Sequence, residues 1–170
     1  MMIEIYRMLA RYNAWANTRV YDAAAQLADA DYRADHGAFF GSLHRTLNHL
    51  IVADRAWMKR FTGVGDPPLA LDAVPYDDFA SLRAARVAED ARICDWLDGM
   101  DDTGLSATFT YRSVVNPMDV TQPFAPALSH FFNHQTHHRG QAHTILTRIT
   151  GDAPSLDLVY FQRQTGIGLA

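Results

Sequence analysis

The chain has 170 residues, a formal charge of −4, nearly half of its residues hydrophobic and a fifth charged, the make-up of one globular domain spanning 1–170. Its acidic balance argues against a nucleic-acid partner, since neutralising phosphates needs a basic face. A single cysteine, Cys94, excludes an internal disulfide and a Cys-rich zinc module, and its setting in "ARICDWL" suits a small core residue better than a nucleophile.

The N-terminal stretch "MMIEIYRMLARYNAW" carries Glu4 and Arg7 early and lacks a long apolar run, so it does not read as a secretory signal. No segment approaches the ~20 apolar residues of a membrane span, and the cytoplasm is the expected compartment. Tyr6, Leu9, Tyr12, Trp15, Ala16, Val20, Ala23 and Leu27 recur at helical spacing and predict a first helix over 2–27. The polar stretch "LADADYRADHGAF", with Gly37, is the first connection. A second helix is predicted from about Phe39 to Phe61, with Phe40, Leu43, Leu47, Leu50, Ile51, Trp57 and Met58 on it, ending at "TGVGDPP".

The third helix should open near Tyr76 to Asp78 and close by "DGMDDTG", burying Leu82, Ala85, Val87, Ala91, Ile93, Cys94 and Leu97. "SATFTYRS" alternates and is rich in Thr, Phe and Tyr, which suggests a short strand paired with "MDVTQ" across "VVNP". A fourth long helix opens near Pro123, tolerates Pro126 in its first turn, and runs to Thr150, with Gly151 as its stop. The tail has room for one short helix. Four long amphipathic helices make the expected class all-α, a four-helix bundle with an irregular or hairpin segment between its third and fourth helices.

Five of the eight histidines fall in "SHFFNHQTHHRGQAH", 129–143. Successive helical residues turn by about 100°, so with His130 as origin the apolar side, marked by Ile145, Phe131, Ile149, Leu128 and Leu146, covers about 60° to 160°. His134 at about 40° and His138 at about 80° fall toward that side, His130 and His137 lie at its margin, and His143 at about 220° points away. Two inward imidazoles one turn apart can share one ion. The plainer alternative is a pair of core histidines bonded to carbonyls or carboxylates, but the segment offers few acids to partner them. Gln135 and Thr136 follow His134, so the H-E-x-x-H protease motif is absent.

A third ligand must come from elsewhere. In "SLHRTLNHLIVADRAW" the apolar arc of the second helix leaves His49 on one border and His44 beyond the other, and spacing does not choose decisively between them. Asp54 falls near the middle of that arc, suited either to an imidazole N–H or to anchoring nearby Arg or Asn side chains; the structural role is preferred.

The order "YNAWAN", "GSLHRTLNHLIVADRAW", "HFFNHQTHHRGQAHTIL" and "PSLDLVYF" resembles the DinB/YfiT-like family over nearly the whole chain. The N-H-x-x-x-H-R-G-Q form on the fourth helix and the His with a Trp eight residues later on the second are its specific motifs. The resemblance implies a bacterial four-helix bundle in which His49, His134 and His138 bind a divalent metal, zinc or nickel, and it selects His49 over His44. It also places Asn13 and Trp15 in a first-helix signature, assigned here to packing, and Arg139, Gly140 and Gln141 in the fourth-helix motif. Relatives of this family include thiol transferases and isomerases, and its bundles frequently pair as homodimers.

Three neutral imidazoles leave an ion its full charge and an open position, unlike closed structural zinc sites with four protein ligands. Such an ion lowers the pKa of bound water or thiol, which supports either hydrolysis or transfer of a thiol to an electrophile. Of these, the resemblance implies transfer of a low-molecular-weight thiol to a small-molecule electrophile, with a metal-dependent hydrolase or a non-catalytic metal-binding bundle as alternatives. His130, His137 and Gln141 are candidates to hydrogen-bond the ligands or carry protons.

Overall fold

The computed structural model describes residues 1–67, 70–113 and 117–169. Four long helices build it: α1 (Met2–Ala24), α3 (Leu43–Thr62), α4 (Phe79–Asp98) and α6 (Phe124–Thr150). Short helices α2 (Asp29–Arg33), α5 (Asp102–Ser106) and α7 (Leu158–Thr165) and one hairpin, β1 (Thr108–Arg112) and β2 (Asp119–Pro123), decorate the bundle. Helices α1 and α3 each pack against both α4 and α6, so the four long helices close into a ring. Among the described residues no helix is long and apolar enough to cross a membrane.

Local chemistry sets the boundaries. Helix α3 starts at Leu43, later than periodicity predicts, because the Ser42 hydroxyl accepts from the Arg45 amide and Gly41 holds φ 77° just before it. Phe40 therefore lies in the preceding loop and not on the helix. Asp78 caps α4 by accepting from Ser81 N at 2.8 Å, and Gly63 and Gly151 end α3 and α6 in the left-handed conformation. Periodicity overlooks α2 and α5, which are single-turn elements too short to repeat. The strands pair antiparallel with Thr108 opposite Pro123 and Tyr111 opposite Val120; three of the four residues of the predicted turn, 114–116, lie outside the described residues.

The apolar interior is in two parts. One cluster joins Val20, Leu47, Leu50, Ile51, Leu82, Ile145 and Leu146. The other joins Ile3, Trp57, Met58, Phe61, Ile93, Leu97, Leu128 and Phe131. Between them in every long helix stands a buried polar layer: Asn13, Asn17, Asp54, Arg86, Glu89, Asp90, Gln135 and Arg139. Arg86 is its centre, with Nη1 donating to Asp54 at 2.6 Å and Nη2 2.9 Å from Asp90. Asn17 donates to both Asp90 oxygens at 3.0 and 3.2 Å, Gln135 donates to Asp54, and Arg139 donates to Asn13 and, at 3.3 Å, to Asn17. Asp54 thus anchors Arg86 and Gln135 and reaches no imidazole. This layer also corrects the expected inner face of α4, where Val87 is 61% exposed, Ala91 is exposed and Cys94 half-buried.

Removing Arg86 strands two buried carboxylates. Arg86→Ala should destabilise the fold by about 3–5 kcal/mol, whereas Arg112→Ala, which breaks an exposed pair with Asp119, should change it by less than about 1 kcal/mol. Urea unfolding of the two variants measures the contrast, and equal small effects would deny the layer its role.

Candidate metal centre

The middle of α3 supplies His49, and α6 supplies His134 and His138 one turn apart. The bundle brings the three together, with one ring nitrogen from each within 4.8 Å of the others. Ring centroids are 5.3 Å apart for His49 and His134, 4.4 Å for His49 and His138, and 4.4 Å for His134 and His138. His134 is half-buried at the edge of the α6 inner face, because Gln135 and Arg139 extend that face away from it into the polar layer.

Hydrogen bonds fix which nitrogen is free. His49 Nδ1 lies 2.7 Å from the Leu71 carbonyl, which can only accept, so Nδ1 carries the hydrogen. The other nitrogen, Nε2, is then a bare lone pair, and it is buried without a partner. His138 Nδ1 likewise donates to Gln141 Oε1 at 2.8 Å, and Gln141 Nε2 lies 3.4 Å from His137 Nε2. Burial pulls His49 down to about 4 despite the Leu71 bond, and burial with the neighbouring imidazoles pulls His134 down to about 3. His138 is also lowered by burial. At neutral pH the cluster is three neutral imidazoles, the protonation state that ligates metal. An orphaned Nε2 beside two more neutral donors, with no acid among them, fits a divalent ion that retains open positions.

Phe40, displaced from its predicted helix, stacks on His49 with centroids 4.0 Å apart and lies 5.5 Å from His138. It covers the cluster from the α2–α3 loop. The only hint of this in the sequence is the pair of aromatics set between Gly37 and Gly41. A cleft of about 290 Å³ opens on the other side, floored by His49 and His134 and walled by Trp57, Arg60, Tyr111 and His130. Among the described residues no carboxylate or thiol lines it. A larger groove of about 660 Å³ runs along α1 and the C-terminal tail, but it holds no ligating cluster and its Arg7 and Arg11 are paired with Glu4 and Asp98; the chemistry lies in the smaller cleft.

The remaining histidines separate clearly. His130 is exposed, its ring 5.0 Å from Trp57 and 5.9 Å from His134, so it borders the cleft without joining the cluster. His137 is exposed, its ring 4.7 Å from that of His138 and its Nε2 3.4 Å from Gln141 Nε2, so it flanks the cluster without joining it. His44 is buried elsewhere, with Nε2 3.0 Å from the Tyr76 carbonyl and its ring against Tyr32. His143 lines a different cleft, beside Tyr12 and Arg139.

The model of the DinB family matches residues 1–166. The chain belongs to the DinB family. It is 23% identical over 153 residues to Protein DinB of Bacillus subtilis (strain 168), an overlap covering 81% of this chain and 82% of that relative. Membership in the DinB family accords with the helical bundle and with a histidine cluster able to hold an ion.

His49→Ala, His134→Ala and His138→Ala should each abolish binding of one ion per chain, while His143→Ala should retain it. Elemental analysis of protein purified without a histidine tag decides, and retention by all three of the first set would remove the site. A pH prediction follows from the depressed imidazoles. Between about pH 6.5 and pH 4 the unfolded chain binds protons at these histidines that the metal-free folded chain does not, so their contribution to stability falls as pH falls. The loss of metal-free stability from pH 7 to pH 4 should therefore be smaller in His134→Asn than in the unaltered chain, as read by urea unfolding at each pH.

Proposed function

We propose that this chain is a divalent-metal-dependent enzyme that transfers a low-molecular-weight thiol to an electrophilic small molecule, with His49, His134 and His138 as the metal ligands. The observation that carries this reading is the buried, unpartnered Nε2 of His49, facing two more neutral imidazoles at the floor of an open cleft. Zinc or nickel suits three imidazoles, and a divalent ion so held lowers the pKa of a thiol or water bound to it by several units.

The protein's own residues do the positioning. Leu71 and Gln141 hold the hydrogens of His49 and His138 on Nδ1 and keep both rings turned with Nε2 available. Phe40 on one side and Trp57 and Tyr111 on the other keep bulk water from the reacting groups. His130, on the rim of the cleft, is held below its ordinary range by partial desolvation and by Arg60, so it is neutral at pH 7 and can take the proton that an entering thiol gives up.

Thiol transfer is favoured over hydrolysis by what the cleft lacks. Hydrolysis on a helix-borne metal commonly uses a carboxylate as general base, and here Gln135 follows His134 and no acid lines the cleft. Nor does the chain bring its own sulfur: Cys94 is half-buried on α4, away from this cleft, and burial pushes its thiol up. A nucleophilic thiol must then arrive as a cosubstrate.

Metal-loaded protein should consume a small thiol in the presence of 1-chloro-2,4-dinitrobenzene, and both chelation and His134→Ala should remove that activity. Hydrolysis of p-nitrophenyl esters without thiol consumption would instead make the protein a hydrolase. Neither activity, together with a melting temperature that drops steeply on chelation, would make the ion structural.

A further inference from the structure

The cleft beside the imidazoles contains a cation with no anion. Arg60, near the C-terminal end of α3, sits against two aromatic rings that meet edge to face, its guanidinium carbon 4.5 Å from the centroid of Trp57 and 4.8 Å from that of Tyr111. Arg55, earlier on the same helix, pairs with Glu89 at 3.6 Å, and Arg86 and Arg92 across the bundle are each paired with acids. Arg60 forms no ion pair and donates no hydrogen bond among the described residues, and none of the residues that line its cleft is acidic. Burial pulls this guanidinium below its ordinary range, with no carboxylate to offset the cost. The rings face part of this half-buried charge, and the fork of N–H donors at the edge of the guanidinium has no protein acceptor among the described residues.

We infer that Arg60 is the receptor for a carboxylate carried by the molecule that occupies this cleft. The two rings fix the position of the guanidinium, and a planar carboxylate matches its fork with two parallel hydrogen bonds. The same cleft is floored by His49 and His134, so one small molecule can engage both ends. A single unpaired guanidinium among neutral side chains matches a monoanion rather than a phosphate dianion. The inference rests on the thiol-transfer reading only in taking that molecule to be one of its two reactants.

The test is calorimetric titration of the zinc-loaded full chain with 3-mercaptopropionate, its methyl ester, propionate and methyl propionate. The acid should bind at least about tenfold tighter than the ester, the worth of one charge-assisted contact. Arg60→Gln should bring the two within about twofold while leaving the ester's affinity and the bound ion unchanged. Should Arg60→Gln lose its ion, Arg60→Lys, which keeps the stem and charge but not the fork, must weaken the acid and spare the ester. Equal binding of acid and ester by the unaltered chain overturns the inference. So does an acid preference that survives in Arg60→Gln, since the carboxylate would then sit elsewhere. Failure of the thiol reading looks different: 3-mercaptopropionate then binds no tighter than propionate, and Arg60 is judged by the same variant from propionate against methyl propionate.

Discussion

The structure depends on the ion pair between Arg86 and Asp54. Both side chains are almost fully buried, and a charge pair in that setting is tolerated only if the partners meet at close range and further polar groups engage them; here only Arg86 Nε of the pair has no partner among the described residues. That condition ties together all four long helices. Arg86 on α4 must face Asp54 on α3, Asp90 must meet Asn13 and Asn17 on α1, and Arg139 on α6 must reach those same asparagines. An apolar bundle of leucines could slide by a turn at modest expense, but this one would strand a charge at every such slip.

The register so fixed is what assembles the histidines. Gln135 and Arg139 are the next residues after His134 and His138, so placing the first pair in the polar layer turns the second pair about 100° toward the side of the bundle. Asp54, the acceptor for Gln135, lies little more than one turn beyond His49 on α3. The contact between Asp54 and Gln135 therefore holds α3 and α6 together at the height where the imidazoles meet. Stability and the candidate site share residues one position apart, which explains why the arginine in the His-Arg-Gly-Gln run points inward while the histidine before it faces the other two imidazoles of the cluster.

Much of this was legible in the sequence, and the misses have a common cause. Leu47, Leu50, Ile145 and Leu146 obey apolar periodicity and are where it places them. The glycine stop of α6 and the alternation of the strand carrying Phe109 and Tyr111 were equally plain. Periodicity fails where the interior is not apolar: α4 turns Arg86, Glu89 and Asp90 inward, so Val87 and Ala91, which an apolar stripe would bury, face out. On α6 the same effect moves His134 from the predicted inner face to its edge. Phe40 was misplaced because its hydrophobicity continues the helical pattern, whereas Gly41 and the Ser42 cap end that pattern before it. The convergence of His49 with His134 and His138 could not come from spacing within either helix, since it depends on the register between them; the family resemblance carried that information.

The distribution of charge separates the two halves of the design. The buried acids Asp54, Glu89 and Asp90 are each engaged by arginines in or beside the polar layer, so the protein's internal negative charge is used within the fold. None lines the cleft, where the histidines are neutral and, among the described residues, the one guanidinium is that of Arg60. Had a carboxylate joined the three imidazoles, it would have offset part of the charge of a bound ion and weakened its pull on a thiol or water. Had one faced Arg60, the cleft would hold its own salt bridge. Keeping the acids in the layer leaves positive potential in a half-enclosed, aromatic-walled space, where a small anion meets less competition from water than at an open surface. The same buried ionic layer that aligns the helices thus also keeps its acids out of the cleft.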